Sequence, residues 1–248
     1  MLQAWSAWWS DWDTAVVVRA TWMRLFVMAL IGTLLLCGWW WSTGVRAGWD
    51  VLDHDAFVAA NGWLRAEDSS RGFWALANTW ALDVVAACVI LMIYAQFVLA
   101  DEARYWRPRI LLGVLLLVFA GIWMHFGMKL LIDNGRESPS LVMADPVLLN
   151  TFFDWPLRIK VTSHDSFPGD HSGVLLLLGV VLWHTASRWR GVQVLLLVVP
   201  FSLPRVVGGG HWLTDQIVGG GFAGLVGASV FLALLKLRPV LQRRASAV

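Results

Sequence analysis

Residues 166–186 read SFPGDHSGVLLLLGVVLWHTA. A Pro-Gly pair and an adjoining carboxylate and imidazole, Asp170 and His171, lead straight into an apolar run that starts at Gly173. Pro and Gly punctuate a chain, and an uncharged run of this length forms a buried or membrane-crossing helix. The stretch is therefore a loop feeding such a helix, with two ionisable groups at its mouth. Charge placed at a membrane boundary is costly unless it pairs or binds something, so Asp170 and His171 are candidate functional groups.

The rest of the chain agrees with a membrane reading. Its 248 residues are 58% hydrophobic and 15% charged, with mean hydropathy +0.63. A soluble domain is nearer to about 45–50% apolar and about 25% charged. Eighteen Trp residues add to this, since indole favours the headgroup level. A net charge of +2 without a basic run excludes nucleic acid as a partner. Cys37 and Cys88 both fall inside apolar runs and read as inert thiols rather than a disulfide.

Apolar runs near 22–41, 80–100, 110–128, 173–186, 193–204 and 216–235 predict an all-α integral membrane fold of six transmembrane helices in a single domain, 1–248. Arg188 and Arg190 mark a tight hairpin between the fourth and fifth. The side bearing the termini and the loops at 101–109 and 187–192 carries 11 of the 19 basic residues and four of the 17 acids. The positive-inside rule makes that side cytoplasmic. The loops at 42–79, 129–172 and 205–215 then face out, or lie at the outer boundary. The first run lacks a small-residue cleavage site and ends in WWW, the pattern of an uncleaved anchor. Ahead of it, over 1–20, Trp5, Trp8, Trp9 and Trp12 share one helical face, as in an amphipathic helix lying in the interface. The segment GWDVLDHDAFVAANGWL in the first outer loop is mildly amphipathic.

Three segments gather titratable groups on the outer side: KLLIDNGRESPS (129–140), SFPGDHS (166–172) and PRVVGGGHWLTD (204–215). His211 and Asp215 are four apart, hence on one face if a helix starts near Gly210. A carboxylate there can take one ring N–H and leave the other nitrogen bare as a nucleophile or base; the same pair can equally serve only to hold a helix start. Arg205 can grip a phosphoryl group through two N–H bonds.

Taken together, Lys129-x6-Arg136, Pro168-Gly-Asp-His171 and Arg205-x5-His211-x3-Asp215 resemble the three-part signature of the type 2 phosphatidic acid phosphatase (PAP2) superfamily, KxxxxxxRP, PSGH and SRxxxxxHxxxD. SFPGDH, PRVVGGGHWLTD, RESPSL and LDHDAF are similar more narrowly to bacterial lipid A 1-diphosphate synthases, which move phosphate from undecaprenyl diphosphate to lipid A on the periplasmic face. Glu137 replaces the signature's Pro, Gly169 and Asp170 replace Ser and Gly of PSGH, and Pro204 replaces a Ser. Lys129 is retained where the synthase subgroup is expected to lack it, which leaves transferase and phosphatase both open.

The resemblance implies His211 as the nucleophile, Asp215 as its orienting partner and His171 as general acid and base. It implies Lys129, Arg136 and Arg205, with backbone at Gly169 and Asp170, as the phosphate-binding set. No metal or other cofactor is implied, and the partners are lipid substrates in the bacterial inner membrane. Two rivals use the same residues. Asp170, His171, His211 and Asp215 are also metal-ligand types, although three converging cations repel a metal. A transporter needs charges at mid-span, whereas these sit at span ends. Asp170 reads either as a helix N-cap or as a group that tunes His171 or Lys129 and helps select the acceptor. Asp83, in the second span, needs a partner such as a site cation or a Trp N–H. His54, His125 and His184 read as structural, and His164 as a solvated loop residue.

Overall fold

The computed structural model describes residues 11–41, 43–132, 135–153 and 157–245. Trp5, Trp8 and Trp9 of the expected interfacial helix lie outside these. Trp12 is described, and it is buried in the main apolar cluster with Ala15, Val16 and Leu25, so its ring faces protein rather than an open interface.

Among the described residues the chain is all-α, and one isolated bridge joins Thr79 to Ile159. The main helices are α1 (Trp22–Trp41), α2 (Thr43–Ala66), α3 (Asp68–Ala77), α4 (Trp80–Val98) and α5 (Trp106–Ile122). A π turn, Trp123–Gly127, carries α5 on to Met128–Leu131. After a long irregular segment come α6 (Asp170–Thr185), α7 (Arg188–Leu195), α8 (Val198–Val207), the π turn Asp215–Gly219 and α9 (Gly220–Ala245).

Five stretches are long and apolar enough to cross a membrane: Trp22–Trp40, Trp80–Val98, Ala103–Leu131, Arg188–Val207 and Asp215–Arg238. The remaining expected span is α6. Its 16 residues rise about 24 Å, short of the roughly 30 Å of a hydrocarbon core. It is instead the enclosed centre of the bundle. Leu175, Leu177, Leu178, Val181 and Leu182 are buried, with α9 on one flank and α7 on the other. Close approach makes this possible. A Cβ on Gly224 of α9 would stand 2.6 Å from the Cβ of Leu176, and one on Gly179 would stand 2.7 Å from Leu195. In lipid, where exclusion from water does not drive helices together, such small-residue contacts hold a bundle.

The expected outer loop at 42–79 is mostly helix. Asp53, Phe57, Asn61 and Leu64 of α2 are buried at a spacing of four, four and three, which defines one face laid on the bundle. Two residues, Ala186 and Ser187, join α6 to α7, and the hydroxyl of Ser187 accepts the N–H of Arg190. The arginines thus begin the next helix just past the tip. At the opposite end of α6, the starts of α4, α6 and the 215–219 turn meet the ends of α5 and α8, and the titratable residues collect there.

Candidate active site

Backbone stitching builds this end of the molecule. The Ser166 N–H donates to the Arg136 carbonyl at 2.7 Å, and the Gly169 N–H donates to the Asp215 carbonyl at 2.8 Å. The N–H groups of Gly210 and His211 both donate to the Arg205 carbonyl, at 2.9 and 3.1 Å. The tight turn between them uses Gly209 at φ +76°, where a Cβ would collide with the Ser140 hydroxyl. All three sequence segments are thereby locked together before any side chain is considered.

His211 is 3% exposed. Its Nδ1 lies 2.7 Å from the Ser166 carbonyl oxygen, so that nitrogen carries the proton and donates it. Asp215 stands farther off, 3.6 Å from the same nitrogen, too long for a hydrogen bond. The tautomer expected from an Asp215 contact is therefore set by a main-chain carbonyl instead, with Asp215 acting as a nearby charge. Nε2 of His211 is buried and has no hydrogen-bond partner among the described residues. Its nearest charged neighbour is Asp170, with Oδ1 at 3.9 Å.

Asp170 is not the expected cap. Helix α6 begins at Asp170 itself, and its Oδ1 takes the N–H of the next residue, His171, at 2.9 Å and the ring Nδ1 of His171 at 2.7 Å. Nε2 of His171 contacts Asp83 at 2.9 Å and lies 3.4 Å from an Arg205 nitrogen. Both residues precede the apolar run from Gly173. Burial favours the neutral ring of His171, yet the hydrogen bonds to Asp170 and Asp83 outweigh it and raise its pKa to about 9. Burial also opposes ionisation of Asp170. The hydrogen bond from His171 and the charges of His171 and Lys160 hold its carboxyl well below the usual range nonetheless.

Arg205, 2% exposed, has two engagements. One Nη bonds the Asp83 carboxylate at 2.8 and 3.1 Å, and the other donates to the Asn78 carbonyl at 3.0 Å. Of the two partners expected for Asp83, the cation is the one found. Arg136 is clamped. Nη1 bonds Asp215 at 2.6 Å and the Thr214 hydroxyl at 2.8 Å, and Nη2 bonds Asp53 at 2.6 Å. Its guanidinium therefore faces two buried carboxylates and stacks near Trp39 and Trp212, rather than pointing freely at the rim. Lys129 is exposed on the short helix Met128–Leu131 that follows the π turn, and no hydrogen bond or ion pair joins it to the described site residues.

Three residues outside the sequence motifs complete the cluster. Asp53 is 1% exposed and takes the Thr214 N–H at 2.8 Å as well as Arg136. Asp83 bridges Arg205 and His171. Lys160 is tied by its N–H to the Asn78 carbonyl, the same oxygen that Arg205 uses. Asp53 left a trace in the sequence as part of LDHDAF and Asp83 as a carboxylate in an apolar span, whereas Lys160 left none. Among the described residues no group of three His, Cys, Asp or Glu is placed to hold a metal ion.

A cavity of about 520 Å³ opens at Asp83, Asp170 and His171 and continues between α4, α5 and α6, lined by Ala86, Ile90, Leu116, Val174 and Leu178. From Asp83 to Tyr94 along α4, both lining residues, it reaches about 16 Å at 1.5 Å per residue. A buried, bare imidazole, a second imidazole held protonated and a buried guanidinium thus stand at the polar end of an apolar channel.

Comparison with known proteins agrees with this arrangement. The chain is 30% identical over 198 residues to the lipid A 1-diphosphate synthase of Escherichia coli strain K12, covering 79% of this chain and 81% of that one. No solved structure matches it. The sequence profile of the PAP2 superfamily matches residues 109–239, which hold His171, Arg205, His211 and Asp215. With its helical membrane architecture and a paired-histidine site at one end of the bundle, the chain is an enzyme of lipid phosphate chemistry and belongs to the PAP2 superfamily.

Proposed function

We propose that this enzyme transfers a phosphoryl group from undecaprenyl diphosphate to lipid A through a phosphohistidine on His211. The observation that carries the reading is the His211 ring itself: proton fixed on Nδ1 by the Ser166 carbonyl, Nε2 bare and buried. An imidazole in that state is a nucleophile awaiting an electrophile.

In the first step Nε2 attacks the terminal phosphorus of the donor. A P–N bond forms as the P–O bond to the prenyl phosphate breaks, and His171 protonates the departing oxygen. His171 is suited to this task because it is still protonated at neutral pH. Asp215, 3.6 Å from Nδ1, offsets the positive charge that the ring gains. In the second step an oxygen of the acceptor attacks the same phosphorus and releases His211. Arg205 neutralises the equatorial oxygens in both steps. Asp83 now occupies the place between Arg205 and His171 that a phosphoryl oxygen takes, so the carboxylate yields when substrate enters. Arg136 acts by holding Asp215 and Thr214 in place.

The apolar channel beside His171 suits a single prenyl tail, which stays in hydrocarbon while the diphosphate reaches Arg205. With α6 counted as an enclosed sixth segment beside the five long apolar stretches, the excess of basic residues on the side of the termini supports a bacterial inner-membrane placement with both termini cytoplasmic and the site periplasmic.

Labelled donor tests this directly. Undecaprenyl diphosphate carrying labelled terminal phosphate is expected to leave acid-labile label on the protein, and to leave none on the His211→Ala variant. Adding lipid A is expected to move that label to the lipid. Free phosphate released equally with and without lipid A would make water the acceptor and overturn the transfer step.

A further inference from the structure

A second pocket shares no lining residue with the apolar channel. It encloses about 350 Å³ against residues 157–162, with Asn150 and Phe153. The local sequence, RIKVT from Arg158 to Thr162, alternates polar and apolar. In an extended backbone, alternate side chains point to opposite faces. Ile159 pairs with Thr79 in the isolated bridge, and both Ile159 and Val161 are buried in the apolar cluster under α3. Arg158, Lys160 and Thr162 alternate with them, and the whole strip from Leu157 to Thr162 lines the pocket, whose exposed surface is mostly polar. Two cations therefore stand roughly 7 Å apart along one edge, with Asn150 and Thr162 as further hydrogen-bonding groups.

The pocket is coupled to the reaction centre. The Asn78 carbonyl accepts the Lys160 backbone N–H at 2.9 Å and an Arg205 Nη at 3.0 Å, so one oxygen ties the main chain that carries Lys160 to the Arg205 guanidinium. The charge of Lys160 also acts on Asp170, which faces His211. A group seated on Arg158 and Lys160 is thus beside the phosphoryl site without using the channel reserved for the donor tail. A site with two cations, polar neighbours and little apolar lining selects a compact dianion rather than a hydrocarbon chain.

We propose that Arg158, Lys160 and Thr162 form the binding site for the phosphate monoester of the acceptor lipid. This rests on the transfer reading above and assigns the acceptor a place of its own. Lys160, held half-buried by its backbone, is the cation nearest the centre, and Arg158, which is exposed, is the outer one.

Equilibrium binding of dihexanoyl phosphatidic acid to the full-length His211→Ala protein in detergent tests the assignment without turnover. Arg158→Gln with Lys160→Gln is expected to weaken binding about tenfold or more, because two charge-assisted contacts are removed. Unchanged affinity overturns the proposal. An equal loss in binding of farnesyl diphosphate also overturns it, since the pocket then serves the donor. Inorganic phosphate lacks the acyl chains that partition into the detergent beside the pocket and hold the headgroup there, so it is expected to bind at least about tenfold more weakly than the lipid monoester; equal affinity overturns the lipid source. Because binding is read on a variant that cannot react, an absent phosphohistidine in the native enzyme is a separate result and leaves this one readable.

Discussion

Asp170 Oδ1 receives two hydrogen bonds from His171, at 2.9 Å from its backbone nitrogen and at 2.7 Å from ring Nδ1. One carboxylate oxygen thus fixes both where the imidazole lies and how strongly it holds its proton. His171 has a folded pKa of about 9, above the ordinary value. As a general acid it works while protonated, so kcat/KM is expected to fall as pH rises through about 9. Asp170→Asn removes the charge and is expected to move that limb down by about one pH unit or more. A limb that stays in place in the Asn variant refutes the dyad. The same shift acts on folding: its stabilisation is complete below the unfolded value of about 6.5 and is lost as pH passes about 9.

Asp83 places a negative charge between Arg205 and His171, the two groups proposed to meet the substrate phosphate. Replacing it with Asn is expected to tighten binding of orthovanadate by about tenfold, because a like charge no longer competes for Arg205. The same change weakens the support of His171, so kcat is expected to fall while the inhibition constant improves. Parallel inhibition and turnover measurements check this, and a weaker vanadate affinity contradicts it.

Asp53 and Arg136 form a buried pair that also carries Thr214. Asp53→Ala leaves the guanidinium partly uncompensated and is expected to cost about 3–5 kcal/mol of stability. Thermal unfolding in detergent measures it. Asp53→Asn keeps the acceptor oxygen for the Thr214 N–H and is expected to lose less.

Gly224 lies where α9 meets α6. A Cβ there would sit 2.6 Å from that of Leu176, a backbone-near atom that cannot swing aside. Gly224→Val is expected to destabilise the bundle by about 1–3 kcal/mol. A variant as stable as the parent shows that the helices separate more easily than this packing allows.

Much of the site was legible because its chemistry is local. Arg205, His211 and Asp215 lie within one short segment, and Pro168 through His171 identify themselves by composition. What escaped was pairing between distant segments: Asp83 meets Arg205 across 122 residues, and Asp53 meets Thr214 across 161. Periodicity says that a carboxylate needs a partner but not which one. The same limit explains Lys129 and Lys160. Spacing to Arg136 singles out Lys129, whereas the fold turns it to the outside and brings in Lys160 from a segment with no motif. Hydropathy located α6, yet only the packing against α7 and α9 shows why so short a helix is enclosed.

The carbonyl that orients His211 belongs to the main chain of Ser166. Every amino acid supplies that oxygen, so no substitution at position 166 can delete it; only a change in the path of the loop can. The His211 ring is thereby insured against single-codon change at its nearest partner, and its weak points are displaced to the residues that shape the loop. A saturation screen is accordingly expected to spare conservative replacements at Ser166 and to punish Gly169, where any Cβ meets the Gln216 side chain and the Asp215 carbonyl.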